Sequence, residues 1–119
     1  MKITPQPNNP PDASLLPIAV ATGVETFDAR TPEWNLLEQA PGMNTRVFRR
    51  FIPFEKPFSS PPALQVGLTG FDINNEGNAR LRVQAGGISE TGFYLEIESW
   101  LDTQIWLVEA QWIAFGHLE

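Results

Sequence analysis

In the stretch NARLRVQ, Arg80, Arg82 and Gln84 alternate with Ala79, Leu81 and Val83. Side chains of an extended chain point to opposite faces in turn, so the first three form an outward row while Ala79, Leu81 and Val83 point to the core. Each guanidinium in that row is a rigid fork of donors, able to hold two vicinal hydroxyls or one carboxylate. Trp100 closes the next alternating segment, just before the break Leu101-Asp102-Thr103. If the two segments pair through the turn GGISET, Arg80 and Trp100 fall at the same end of one sheet. A fork of donors beside an aromatic plate suits a sugar, whose hydroxyls take the hydrogen bonds while its C–H face lies on the ring. The same residues can also serve structure alone, Arg80 by pairing with Asp72 or Asp102 and Trp100 by filling the core.

Other chemistries find less support. His117 is the single histidine and there is no cysteine, so a Ser-His-Asp triad, a cysteine nucleophile and a thiolate or multi-histidine metal site all lack their parts. Glu96 and Glu98 alternate on one strand, as on any solvated face, and give no reason to expect the paired carboxylates of a glycosidase. No glycine-rich loop stands between a strand and a helix to cradle phosphate. The chain reads as a binding protein rather than an enzyme, with no cofactor and no metal.

The elements that must position such a site are strands. Residues 18–27 (IAVATGVETF) alternate with period two, and so do Thr45 to Phe54, Ala63 to Ile73, Ala79 to Gly86, Gly92 to Trp100 and Gln104 to Phe115. EKPFSSPP, INNEGN and GGISET separate them with turn residues. The stretch from Asp28 to Asn44 breaks the pattern and reads as a long loop with at most one helical turn. Short strands at this spacing, with no lasting helical period, imply an all-β fold, a six-stranded antiparallel β-sandwich. On the last strand Trp106, Val108, Ala110, Trp112 and Ala114 are expected in the core. Ile105, Leu107, Glu109, Gln111, Ile113 and Phe115 then share an outer face too apolar for full solvation. On the second strand Phe48, Ile52 and Phe54 share a side with Arg50, and Val47 and Phe51 share the other with Arg49. Such mixed faces suit contact between subunits, so a homo-oligomer is expected. The competing reading is a monomer whose long arginine stems lie across its surface.

Length and charge set the outer limits. The chain of 119 residues has room for one domain. A net charge of −6 with only eight basic residues argues against a nucleic-acid partner. No apolar run approaches the ~20 residues that span a bilayer, so membrane insertion is not expected. Residues 1–17 hold five of the eleven prolines and read as an extended arm or linker. The domain proper is placed at 18–117, and Leu118-Glu119 is set aside as a cloning scar. No apolar leader is visible, which leaves a cytoplasmic protein and a piece of a larger, extracellular one equally open.

The segments PFEKPFSSPPALQVGLTGFDI, NARLRV, TGFYLEIESWLDT and WLVEAQWIAFG, in this order and spacing, resemble the H-type lectin domain, shared by a snail agglutinin and the discoidins. The likeness runs from about Val20 to Gly116. It implies a six-stranded antiparallel sandwich that assembles into trimers, sometimes paired into hexamers, and binds galactose or N-acetylgalactosamine between neighbouring protomers without a metal. Arg80 matches the family's arginine on the strand N-x-R, and Trp100 its tryptophan before the turn. Two positions depart. Leu101 stands where the snail agglutinin has a sugar-contacting histidine, and Met43 stands where it has an aspartate before the triplet kept here as Asn44-Thr45-Arg46. The glycan site is therefore expected around Arg80, Trp100, Leu101, Met43 and Asn44, with Asn44, Asp28 or Glu38 as substitutes for the missing acid. The alternative is a trimerising structural or adaptor module, an appendage of a larger protein or tail-like assembly, whose sugar site has degenerated.

Overall fold

Each alternating segment turns one face inward, and six of them bury those faces by stacking as two sheets. The computed structural model describes residues 17–38, 45–74 and 77–119 and contains β1 (Ala19–Asp28), β2 (Thr45–Pro53), β3 (Ala63–Asn74), β4 (Arg82–Gly86), β5 (Gly92–Trp100) and β6 (Gln104–Gly116). One sheet has the order β1-β6-β3 and the other β2-β5-β4, with every pairing antiparallel. The all-β sandwich read from the sequence is thus the fold. The proline-rich arm, apart from Pro17, lies outside the described residues, as do Met43 and Asn44.

Trp112, near the middle of β6, marks the centre of the core. Its ring lies 5.3 Å from that of Phe93 and 5.8 Å from that of Phe54, while Phe54 meets Phe58 edge-on at 5.1 Å. Its indole N–H donates to a Glu25 carboxylate oxygen at 3.0 Å, so the polar end of a buried ring is satisfied. Across the pair β1–β6, Gly23 stands opposite Trp112, and a Cβ there would come within 2.5 Å of the indole nitrogen. The period-two segment on β1 therefore carries glycine where the ring needs the space. A second cluster, of Leu36, Phe48, Ile97, Ile105 and Val108, fills the other end.

Three expectations need correction. Trp106 is not in the core but 47% exposed, and Ile105, expected on the outer face, is fully buried. The cause is a β-bulge: Asp72 pairs with Leu107 but Ile73 pairs with Ile105, so β6 carries one extra residue, Trp106, and its alternation changes sides there. Trp106 instead lines a shallow depression of about 330 Å³ with Asp28, Arg30 and Asp72. β4 begins at Arg82 rather than Ala79, which is exposed. There the Arg80 N–H donates to Thr103 Oγ1 (3.1 Å) and the Arg80 carbonyl accepts from Ser99 Oγ (2.8 Å), so side-chain hydroxyls take over from the ladder. At the chain end Leu118 bridges Phe58 and the Glu119 N–H donates to the Pro57 carbonyl.

These assignments separate two tryptophans on one strand. Trp112→Ala should destabilise by ~3–5 kcal/mol in denaturant unfolding, while Trp106→Ala should cost below ~1 kcal/mol. Equal losses would sink the bulge as the reason for Trp106's exposure.

Candidate functional site

The outward row of β4 and the end of β5 meet at one end of the sheet β2-β5-β4. Trp100 is the last residue of β5, half-buried, and pairs with Thr45 across β2. The guanidinium carbon of Arg82 lies 5.8 Å from the centre of the Trp100 ring, and its Nη1 is 3.5 Å from a Glu98 carboxylate oxygen. Arg80, directly before β4, is more enclosed, its side chain 20% exposed against 57% for Arg82. Its Nη1 donates to the Asn78 carbonyl (3.1 Å) and to Asp102 Oδ1 (2.7 Å). The structure therefore puts Arg80 and Trp100 at the same end of the sheet and realises the Arg80–Asp102 pair, while the cation over the ring belongs to Arg82.

Between them lies the turn. Leu101 has φ of 59°, left-handed for a residue that is not glycine, and is 48% exposed. Thr103 and Ser99 are fully buried beneath it. Ser99 Oγ reaches the Thr103 carbonyl at 3.4 Å, and Thr103 Oγ1 donates to the Asn78 carbonyl at 3.3 Å, joining the turn to the approach of β4. On the other side stands Arg46, 4% exposed, whose Nη2 donates to the Leu101 carbonyl at 2.9 Å and whose Nη1 donates to the Glu38 carbonyl. Burial pushes the Arg46 guanidinium below its usual value, while the Glu38 charge pulls it upward.

Residues 29–38 close this end. The Ile105 N–H donates to the Leu36 carbonyl and the Trp34 indole N–H to the Ile105 carbonyl, each at 2.9 Å, while Gln104 Nε2 holds the Leu37 carbonyl at the same distance. Turns take the place of the single helical turn allowed for this loop: Thr31 N–H meets the Asp28 carbonyl and Trp34 N–H the Thr31 carbonyl. Of the substitutes for the missing acid, Asp28 is engaged by Arg30, whose side-chain hydrogen bond holds that carboxyl below the usual carboxylate range. Glu38 enters through its carbonyl, and Asn44 lies outside the described residues.

Sequence reasoning missed Arg46 as a member of this end and Arg82 as the residue over the ring. The first had a signal, since Arg46 shares its strand parity with the buried Phe48 and Ile52. The outer glutamates are paired across strands: Glu96 accepts from Arg49 Nε (2.6 Å) and Gln84 Nε2 (3.0 Å), and Glu98 faces Arg82. No group of three or more histidine or acidic side chains converges to hold a metal among the described residues. What this end offers is one guanidinium over a half-open indole, with those of Arg80 and Arg46 bonded to the turn that follows it.

The model of the family described as H-type lectin domain matches residues 49–115. In sequence, the chain is 36% identical over 75 residues to a Fuscovulum blasticum protein described as "ATP synthase subunits region ORF 7", a match covering 63% of this chain and 65% of that one. In structure, it superposes on wild-type discoidin II from Dictyostelium discoideum with a TM-score of 0.75 and 21% identity, covering 90% of this chain and 40% of that one. Recombinant discoidin II of the same organism gives a TM-score of 0.72 at 21% identity, over 92% of this chain and 40% of that chain. The matched family segment takes in Arg80, Trp100, Leu101 and the last four strands, β3 to β6, and begins inside β2. The chain belongs to the H-type lectin domain family.

Proposed function

We propose that the protein is a metal-independent lectin that binds galactose- or N-acetylgalactosamine-type glycans at the Arg80–Trp100 end of the sandwich. The observation that carries this is a half-open indole with the Arg82 guanidinium over its ring and Arg80 bonded to Asp102 on the adjoining turn, on a lectin-family scaffold. Trp100 supplies the plate for the C–H face of a hexose, and the Nη2 and Nε donors of Arg80 supply the fork for its hydroxyls. Asp102 orients Arg80 through Nη1 and, as a carboxylate, provides the acceptor that Met43 does not. Leu101 stands exposed beside the ring, where its apolar side chain favours a sugar's methyl or C–H surface over an additional hydroxyl. Met43 and Asn44 stay in the proposed site on the family resemblance alone, since both lie outside the described residues.

A shallow site of this kind holds one sugar weakly; an affinity near mM is only about −4 kcal/mol. Several sites on one rigid assembly raise it through effective concentration. We therefore include a homotrimer, alone or paired into a hexamer, in the proposal. Its best-supported contact face is the outside of the sheet β1-β6-β3. There Val20 (59% exposed) and Val24 (57%) lie on the same face as Ile113 and Phe115, in the register Val20↔Phe115 and Thr22↔Ile113. The outer face of β2 supports this less, because the Arg49 guanidinium lies 4.2 Å from the Tyr94 ring centre, beside Phe51 and bonded to Glu96.

One observation favours the second reading, a trimerising module without sugar. The Arg80–Asp102 pair at 2.7 Å is complete without any ligand. A glycan array on the intact oligomer separates the two readings. Signal on galactose or N-acetylgalactosamine glycans, lost in Arg80→Ala with the oligomer preserved, is the expected outcome; silence across the array assigns the module instead. Sedimentation should also show Val20→Glu with Val24→Glu dissociating the assembly. A monomeric wild type contradicts the oligomeric part of the proposal.

A further inference from the structure

Burying a guanidinium costs desolvation that backbone carbonyls alone repay poorly. Arg46 is nonetheless 4% exposed, and its Nε finds no hydrogen-bond partner among the described residues. Its two terminal nitrogens go to carbonyls of separate segments, Glu38 on the loop after β1 and Leu101 on the turn after β5. Arg46 pairs with Ser99 on β5, one step inside the pair Thr45↔Trp100, so it lies directly behind the exposed end of the strand. From there its Nη2 reaches the carbonyl of Leu101, the one residue of that turn with positive φ (59°). A leucine held left-handed relaxes toward ordinary backbone angles unless its surroundings prevent it, because its Cβ crowds the following carbonyl. A bond to that residue's own carbonyl opposes the relaxation.

We propose that Arg46 is a positioning residue for glycan binding: it locks the Trp100–Thr103 turn in its left-handed form and fixes the turn to the loop at Glu38. Through Leu101 it sets where Trp100 presents its ring, and through the next residue it sets where Asp102 meets Arg80. Arginine suits the task because a planar fork holds two carbonyls in one fixed geometry, whereas lysine offers a single nitrogen on a flexible stem. The functional half of this inference rests on the lectin reading; the conformational half does not.

The test labels all four tryptophans with 5-fluorotryptophan and follows each resonance by ¹⁹F NMR, Trp100 being assigned through Trp100→Phe. Arg46→Met should move or broaden the Trp100 signal, leave that of Trp112 in place, and weaken binding of a multivalent N-acetylgalactosamine probe by about tenfold or more. In the Leu101→Gly background the same substitution should cost less than about threefold, since glycine takes positive φ unaided. Equal losses in both backgrounds would mean that Arg46 does not act through Leu101, and an unmoved Trp100 signal would overturn the inference outright. Where wild type binds no probe, the resonances alone decide: a Trp100 shift that Leu101→Gly suppresses upholds the positioning role while the lectin reading falls. If Arg46→Met does not fold, Arg46→Lys takes its place with the same outcomes.

Discussion

The sandwich depends on one steric arrangement, the Trp112 ring lodged between the sheets with Gly23 opposite it. The ring spans the gap to Phe93 on β5 and to Phe54 just past β2, and it fits only because its neighbour across β1 has no side chain. A substituent on Gly23 would push β1 off β6, and every pairing from Ala19↔Gly116 to Asp28↔Leu107 is built on that register. With β6 anchored by its core face, its outer residues and its connection to β5 have fixed places. The Trp100 end inherits this, because the turn that carries Leu101 is the short link between β5 and β6.

Toward that end the basis of order changes. In the middle of the molecule, backbone ladders and apolar packing define position. At the Trp100 end the work passes to side chains that bond backbone: Ser99 and Thr103 hold the approach to β4, Arg46 holds the turn, and Gln104 and Trp34 hold the loop 29–38. Such bonds leave side-chain rings and forks outside the ladder, where a ligand can meet them. They also make the geometry sensitive to single substitutions, because each buried polar group stranded by a lost partner is costly.

Strand existence and the two-layer fold were legible in the sequence because each strand's alternation reports which face is buried. What was illegible follows from local exceptions to alternation. The bulge at Trp106 reverses parity without any glycine or proline to announce it, so plain alternation carried back from Val108 puts Trp106 and Ile105 on the wrong faces. The late start of β4 at Arg82 is equally silent, since it depends on hydroxyls from Ser99 and Thr103 that are distant in sequence. That Arg80 and Trp100 share one end was legible through the hairpin joining β4 and β5, because antiparallel pairing alone carries both there. Arg46 was legible only in part: its parity placed a cation on the core face, but not which carbonyls it would hold.

The lectin proposal requires that a hexose bind at the end of the sandwich where the Trp100 ring and the Arg80 fork lie. Its most direct test is a ¹⁵N-edited NMR titration of the side-chain Trp Nε1–H and Arg Nε–H signals, together with the backbone amides, with N-acetylgalactosamine. Binding there should produce progressive shifts at Trp100, Arg80 and the amides of Leu101 to Thr103, with Trp112 and Trp106 unmoved. Shifts centred on Trp106, or a spectrum unchanged up to saturating sugar, would contradict it.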